Sequence, residues 1–82
     1  MMARGAKLSF AQTHRLEKLP GEMDRLTAEI GKLEGLLADP DLYARDPGRF
    51  AKATAAMAER QAALAKAEED WLELEALREA AG

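Results

Sequence analysis

The chain has 82 residues and a formal net charge of −3, with 33% charged and 5% aromatic residues. This length supports at most one small domain, and the abundance of Ala, Glu, Leu, Lys and Arg favours long helices or a coiled coil. The absence of cysteine excludes a disulfide framework and a thiolate site. No apolar run approaches the roughly 20 residues that span a bilayer, and residues 1–5 lack the apolar core of a secretory signal. We therefore expect a cytoplasmic chain without a membrane segment.

The N-terminal residues predict a tail followed by a short helix. Residues 1–7 show no helical periodicity and predict a flexible basic tail. Ser9 and Gln12 match the S-x-x-Q capping box, in which each side chain accepts a hydrogen bond from the other residue's backbone amide. A short helix is therefore predicted over residues 9–18. Pro20 then predicts a kink or break, because a proline costs ~3 kcal/mol inside a helix but is tolerated in the first turn of a new one.

An apolar stripe begins before Pro20 and runs through the first arm, which is predicted over residues 20–38. Its members are spaced three and four residues apart, as at the a and d positions of a heptad repeat. They are Leu16, Leu19, Met23, Leu26, Ile30, Leu33 and Leu37. A helix with such a stripe needs a second apolar surface to cover it, and the rest of the chain is predicted to supply one.

Two Asp-Pro pairs bracket residues 39–46 and predict the tip of a hairpin. The residue before a proline avoids the α-helical region, so the first arm is predicted to end here. Leu42 and Tyr43 are predicted to form a helical turn that covers the end of the stripe. Asp46 is a favourable N-cap and Pro47 a favourable first residue for the next helix.

A second arm is predicted over residues 47–79, with residues 80–82 as a frayed end. Its apolar stripe consists of Phe50, Ala53, Met57, Leu64, Ala67, Trp71 and Leu74. Arg60 occupies the remaining d position, where its stem can lie in the stripe while its guanidinium reaches water. The stripe widens between Trp71 and Leu77, and we expect Leu8 and Phe10 of the short helix to cover this wide end.

The short connection between the two stripes predicts antiparallel neighbours. The predicted fold is therefore all-α: an antiparallel two-helix coiled-coil hairpin with a short additional N-terminal helix. We expect a monomer. A swapped or coiled-coil dimer uses the same stripes and is the competing arrangement.

The sequence contains little that points to catalysis. There is no phosphate-binding loop, no dinucleotide-binding glycine motif and no H-E-x-x-H motif. His14, the single histidine, is predicted to be a solvated residue on the outward face of the short helix. We predict no catalytic residue, no bound cofactor and no metal ligand, so this chain is not expected to be an enzyme.

A basic cluster near the N-terminus is the one candidate functional site. Within residues 1–19, four cations are opposed by a single acidic residue, Glu17. The four cations are Arg4, Lys7, Arg15 and Lys18. Such a cluster can bind phosphates by releasing their counterions. The alternative is a solvated tail with no binding role.

Three segments resemble the C-terminal domain of Uup-type ABC-F ATPases. The first is K-L-S-F at residues 7–10, followed by R-L-E at 15–17 and L-P at 19–20. The others are A-D-P-D-L-Y at residues 38–43 and E-E-D-W-L-E-L-E-A-L at residues 68–77. The family's opening has Lys-Glu after the aromatic residue, where this chain has Ala-Gln, so two charges are missing from the first helix.

The resemblance implies an antiparallel coiled coil at the end of a cytoplasmic protein with two ATP-binding cassettes. ATP and Mg²⁺ would bind those cassettes, which lie outside this sequence. DNA binding has been attributed to the family's domain, and the parent proteins are associated with ribosomes or DNA-linked processes. The implied partners are DNA, ribosomal RNA or the parent's own ATPase domains.

Two other classes of protein remain open on the residues alone. The segment from Leu36 to Leu64 is similar to the helical N-terminal domain of peptide-chain release factors, which has a comparable Asp-Pro…Asp-Pro tip. A generic helical hairpin that docks another protein through its narrow, Ala-rich middle is the third interpretation.

Overall fold

Residues 8–81 are described by a computed structural model, and within this range the chain is an all-α hairpin. The helices are α1 (Phe10–Leu37), α2 (Leu42–Arg45) and α3 (Pro47–Ala81). Helix α3 packs against both α1 and α2, and the rod measures 63 × 16 × 15 Å along its principal axes. The predicted all-α hairpin is confirmed. The tail predicted at residues 1–7 lies outside the described residues, as does residue 82 of the predicted frayed end.

Helix α1 begins with the predicted capping box. The Ser9 hydroxyl accepts a hydrogen bond from the Gln12 amide at 3.1 Å, and the Gln12 side-chain oxygen accepts one from the Ser9 amide at 2.9 Å. Ser9 has an extended backbone as the N-cap. Two amides that have no partner within the helix are thereby satisfied, which fixes where α1 starts.

Pro20 lies inside α1, and the chain continues through it as one helix. The short helix predicted over residues 9–18 is therefore the beginning of α1 and not an additional element. The apolar stripe explains this continuity. The stripe residues on the two sides of the proline share one face of the helix: Leu16 and Leu19 precede it, and Met23 and Leu26 follow it. A break at Pro20 would turn one of these two groups away from α3 and expose it. Pro20 itself is exposed, which keeps its ring out of the interface with α3.

The core follows both predicted stripes, whose members are all buried or half-buried. The buried apolar residues are Leu16, Leu19, Leu26, Leu42, Ala53, Ala67 and Leu74. Leu8 packs against the cluster that contains Leu16 and Leu74, as predicted. Helix packing of this kind derives its stability mainly from the buried apolar face and only slightly from the intrinsic propensity of the helices.

Phe10 does not cover the wide end of the hairpin, so that prediction is wrong. Its side chain is 89% exposed. Phe10 precedes Leu19 by nine residues, which is two and a half helical turns, and it therefore points away from the buried face. Leu72 and Leu77 are left 62% and 38% exposed. The wide end of the second stripe is consequently only partly covered.

The tip is held by Asp39. One of its carboxylate oxygens accepts a hydrogen bond from the Asp41 amide at 2.9 Å, and the other accepts one from the Arg45 guanidinium at 2.8 Å. These bonds, the one from Arg45 first, lower the pKa of Asp39. Leu42 is completely buried, as predicted. Tyr43 is 65% exposed and meets Phe50 edge-on at 5.2 Å, so the prediction that it covers the stripe is wrong.

Two polar contacts set the start of α3 and its register against α1. Asp46 accepts a hydrogen bond from the Arg49 amide at 3.0 Å, as expected of an N-cap. Near the middle of the rod, the Arg60 side chain donates to Glu29 of α1 at 2.7 Å and also pairs with Glu59. Arg60 therefore bridges the two helices. The sequence analysis predicted only that its guanidinium would extend into water.

Candidate nucleic-acid interface

The four predicted basic residues divide into two groups. Arg4 and Lys7 lie outside the described residues. Arg15 and Lys18 are three residues apart in α1 and therefore neighbours on its surface. Lys18 is exposed and forms no ion pair with any residue between 8 and 81. Its ammonium group is thus available to a phosphate.

Arg15 is held between two carboxylates. One guanidinium nitrogen donates to Glu22 at 3.0 Å, and the other donates to Asp70 of α3 at 3.3 Å. Its side chain is 42% exposed. Part of its charge is therefore compensated inside the chain, which reduces what Arg15 can offer a phosphate compared with Lys18.

Asp70 also accepts a hydrogen bond from Lys66 at 2.9 Å, so it links two cations. This bond, with a smaller contribution from Arg15, lowers the pKa of the Asp70 carboxyl. The hydrogen bonds to Glu22 and then to Asp70 raise the pKa of Arg15. Arg15 and Asp70 are therefore both charged around neutral pH, and their ion pair joins the start of α1 to the late part of α3.

An exposed aromatic pair lies beside these cations. Phe10 and His14 are four residues apart in α1, and their rings stack with centroids 6.4 Å apart and planes inclined by 19°. Phe10 begins the helix and is nearly free of protein contacts, with 89% of its surface exposed. A flat, accessible ring of this kind offers a surface on which a nucleobase can stack.

The aromatic pair and the cations line one shallow depression, which we call the aromatic–basic patch. Its lining residues are Phe10, Ala11, His14, Arg15, Lys18 and Glu22. The patch lies at the end of the rod that is farthest from the tip. It combines an aromatic face with positive charge, the two features that single-stranded nucleic acids bind.

The sequence interpretation missed Phe10 and His14 as members of this patch. The sequence interpretation places Phe10 over the extra apolar surface at the wide end of the second stripe. The spacing of nine residues from Phe10 to Leu19 was the signal that could have placed Phe10 outside. His14 was predicted to be outward-facing, which agrees with its exposure, but its stacking on Phe10 was not anticipated.

Other kinds of site find little support in the part of the chain that the structure covers. Between residues 8 and 81, no group of three or more His, Cys, Asp or Glu side chains could hold a metal ion. None of the helices described is long and apolar enough to cross a membrane.

The pKa of Asp70 leads to a prediction about pH. Because that pKa is lowered on folding, the stabilising contribution of Asp70 is complete above its ordinary value of about 4 and is lost as the pH falls through the folded value. We expect Asp70→Asn to destabilise the chain at pH 7 and to match the stability of the unmodified chain once the pH is below the folded pKa of Asp70. Urea unfolding followed by circular dichroism across this range measures the difference.

Glu73→Gln is the matched control, because Glu73 is an exposed carboxylate on the same helix that forms no ion pair within residues 8–81. It should leave the stability curve nearly unchanged. A constant gap between Asp70→Asn and the unmodified chain over the whole pH range would contradict the role given to Asp70.

The comparison with protein families identifies the class of this chain. Residues 7–76 match the family described as the ABC transporter C-terminal domain. This match covers most of the 82 residues, so the chain belongs to that family. The match decides between the two families considered above, in favour of the ABC-F domain over the release-factor domain.

The chain is also similar to a particular protein, the ATP-binding protein Uup of Caulobacter vibrioides. The two are 55% identical over 76 residues, which is 93% of this chain and 12% of the relative. The resemblance to the C-terminal domain of Uup-type ABC-F proteins is thereby confirmed. The chain spans about an eighth of the length of that relative. No solved structure matches this chain.

Proposed function

We propose that this chain is the non-catalytic C-terminal module of an ABC-F ATPase, and that it binds nucleic acid through the aromatic–basic patch. The observation that carries this proposal is the exposed Phe10 ring, which stacks on His14 and lines the same depression as Lys18. Because 89% of the Phe10 surface is exposed, the ring contributes little buried area to the hairpin. Base stacking gives it a use, since every nucleobase presents a flat face to an aromatic side chain.

Base stacking, and not charge, favours single strands over duplexes. The chain as a whole is acidic, with a net charge of −3, so attraction to phosphate must come from a local group of cations. Lys18 and part of Arg15 supply it within the described residues, and we propose that Arg4 and Lys7, which lie outside them, also contribute. Few phosphate contacts give weak binding to a duplex, whereas a single strand gains base stacking as well.

The parent protein is proposed on the strength of the similarity to Uup, whose name describes an ATP-binding protein. We infer that ATP and Mg²⁺ bind cassettes elsewhere in a cytoplasmic parent, and that this chain supplies none of the catalytic residues. The rod then acts as an arm that places the patch on DNA or on ribosomal RNA. The parent's own ATPase domains are the alternative partner.

Fluorescence anisotropy of labelled single-stranded and duplex DNA, titrated with the chain at several salt concentrations, tests this function. We expect the single strand to bind more tightly than the duplex. The logarithm of its affinity should fall linearly with the logarithm of the salt concentration, with a slope that corresponds to a few phosphate contacts. Phe10→Ala should weaken single-strand binding by about 1–3 kcal/mol, the usual contribution of one stacked base.

Tyr43→Ala is the matched control, because Tyr43 is an exposed aromatic residue at the opposite end of the rod. It should leave binding unchanged. Lys18→Gln should reduce the salt slope by about one phosphate contact, while Lys52→Gln on α3 should not. Absence of DNA binding at low salt would refute the DNA proposal, and binding to ribosomal RNA under the same conditions would place the arm on the ribosome.

A further inference from the structure

A second surface depression lies on another edge of the rod and has a different character. Its lining residues are Pro20 and Met23 of α1 and Glu68, Trp71 and Leu72 of α3. Four of the five are apolar, and Leu72 is 62% exposed. We call this surface the apolar groove. It lies beside the wide end of the second stripe, which is only partly covered.

The groove is separate from the aromatic–basic patch. The two surfaces share no lining residue. Lys18 and Glu22 of the patch each lie two residues from Pro20, which is roughly 200° around the helix. A ligand in the groove therefore contacts a face of α1 that the nucleic-acid proposal does not use.

Acidic residues border the groove on both helices. Glu68 lines it directly, and Glu17 and Asp24 lie one helical turn on either side of Pro20. None of these three carboxylates forms an ion pair with another residue in the range 8–81. Their charges are therefore not compensated by the part of the chain that the structure covers.

Lys and Arg are absent from the positions that follow this edge, although Arg78 pairs with Glu75 from a neighbouring position on α3. On α1, the positions that follow this edge are spaced alternately four and three residues apart. They are Thr13, Glu17, Pro20, Asp24, Thr27 and Gly31. On α3, the positions with the same spacing are Gln61, Ala65, Glu68, Leu72, Glu75 and Glu79. Five of these twelve positions are acidic and none is Lys or Arg, so the edge carries a net negative charge. The patch edge, in contrast, includes Arg15 and Lys18.

We propose that the apolar groove is a docking site for a basic amphipathic helix of a partner protein. Apolar side chains of that helix lie against Trp71, Leu72 and Met23, while its Lys or Arg side chains reach the carboxylates of Glu17, Asp24 and Glu68. This is the helix-in-groove mode of recognition. Charge complementarity selects this occupant, because a second copy of the chain would bring an equally acidic edge against the first.

Trp71 makes the proposal directly measurable, because it lines the groove and is the chain's single tryptophan. The probe is a synthetic leucine–lysine peptide with leucines at helical i, i+3, i+4 and i+7 spacing. We expect saturable binding that shifts the Trp71 emission to shorter wavelength. A peptide of the same composition in scrambled order, and one with glutamate in place of lysine, should bind at least about tenfold more weakly.

Two charge reversals form a matched pair in this experiment. Glu68→Lys should weaken peptide binding about tenfold. Glu69→Lys has the same charge change on the next residue, which is exposed and lies roughly 100° further around α3, and it should change binding less than about twofold. Leu72→Glu should also weaken binding about tenfold, with helix content by circular dichroism confirming that the hairpin is intact.

Three results would overturn the proposal. Equal binding of the scrambled peptide, or equal weakening by Glu68→Lys and Glu69→Lys, would mean that the peptide responds only to net charge. A dimer detected by sedimentation equilibrium and dispersed by Leu72→Glu would mean that a second copy of the chain occupies the groove.

Discussion

Replacement of Leu19 by alanine is expected to lower the free energy of unfolding by about 2–5 kcal/mol. Leu19 is completely buried and packs in the cluster with Leu16, Ala67 and Leu74. The substitution removes apolar contacts and leaves a cavity that a two-helix rod can close only by shifting a helix. Small domains have a total stability of about 5–15 kcal/mol, so this change alone should bring the chain close to unfolding. Urea unfolding followed at the helical circular dichroism band measures it.

Leu72→Ala is the control for the Leu19 substitution, since it removes the same atoms from a side chain that is 62% exposed. Leu72→Ala should change the free energy of unfolding by no more than about 0.5 kcal/mol. A Leu19→Ala chain as stable as the Leu72→Ala chain would contradict the packing of α1 on α3. The unfolding midpoint of the monomer should not depend on protein concentration, whereas that of a swapped dimer should.

The arms and the tip could be predicted because their signals are local. The Ser9–Gln12 capping box lies within one turn, and the Asp-Pro pairs mark the connection in the sequence itself. The apolar stripes repeat every three and four residues, so each arm indicates its buried face without reference to the other. The antiparallel arrangement then follows from the shortness of the connection.

The features that could not be predicted depend on how the two arms fit together. The ion pair between Arg15 and Asp70 joins residues 55 positions apart, and it exists only in one register of α1 against α3. The continuity of α1 through Pro20 is decided by burial on both sides of the proline, and this outweighs the local preference for a break. Helix propensity and breaker rules are weak wherever packing acts against them.

Only the basic residues of the candidate site could be predicted from the sequence, for the same reason. Lys18 and Arg15 were identified from their charge, which needs no structure. Phe10 was not identified, because a large apolar residue near an uncovered stripe is usually part of the core. The outward position of Phe10 explains one of the two surfaces, because it exposes an aromatic ring in the same depression as Lys18.

Pro20→Ala is expected to stabilise the chain by about 2 kcal/mol. A proline inside a helix costs ~3 kcal/mol, because it has no amide hydrogen for the carbonyl of Leu16 and its ring crowds that group. About 0.4–1 kcal/mol of the gain is lost again, because alanine is more flexible than proline in the unfolded chain. The ring of Pro20 is exposed, so its removal leaves the contacts between α1 and α3 in place.

Gly21→Ala is the neighbouring control, because a Cβ atom added at Gly21 meets nothing within 4 Å. It should stabilise the chain by about 0.5–1 kcal/mol through helix propensity alone. The expectation would be contradicted if Pro20→Ala stabilised the chain less than Gly21→Ala, or destabilised it. Either result would mean that Pro20 does not strain α1 in this hairpin. Because Pro20 also lines the apolar groove, the same variant should be titrated with the leucine–lysine peptide. A more stable chain that binds the peptide less tightly would mean that the proline costs stability but shapes the groove for its partner.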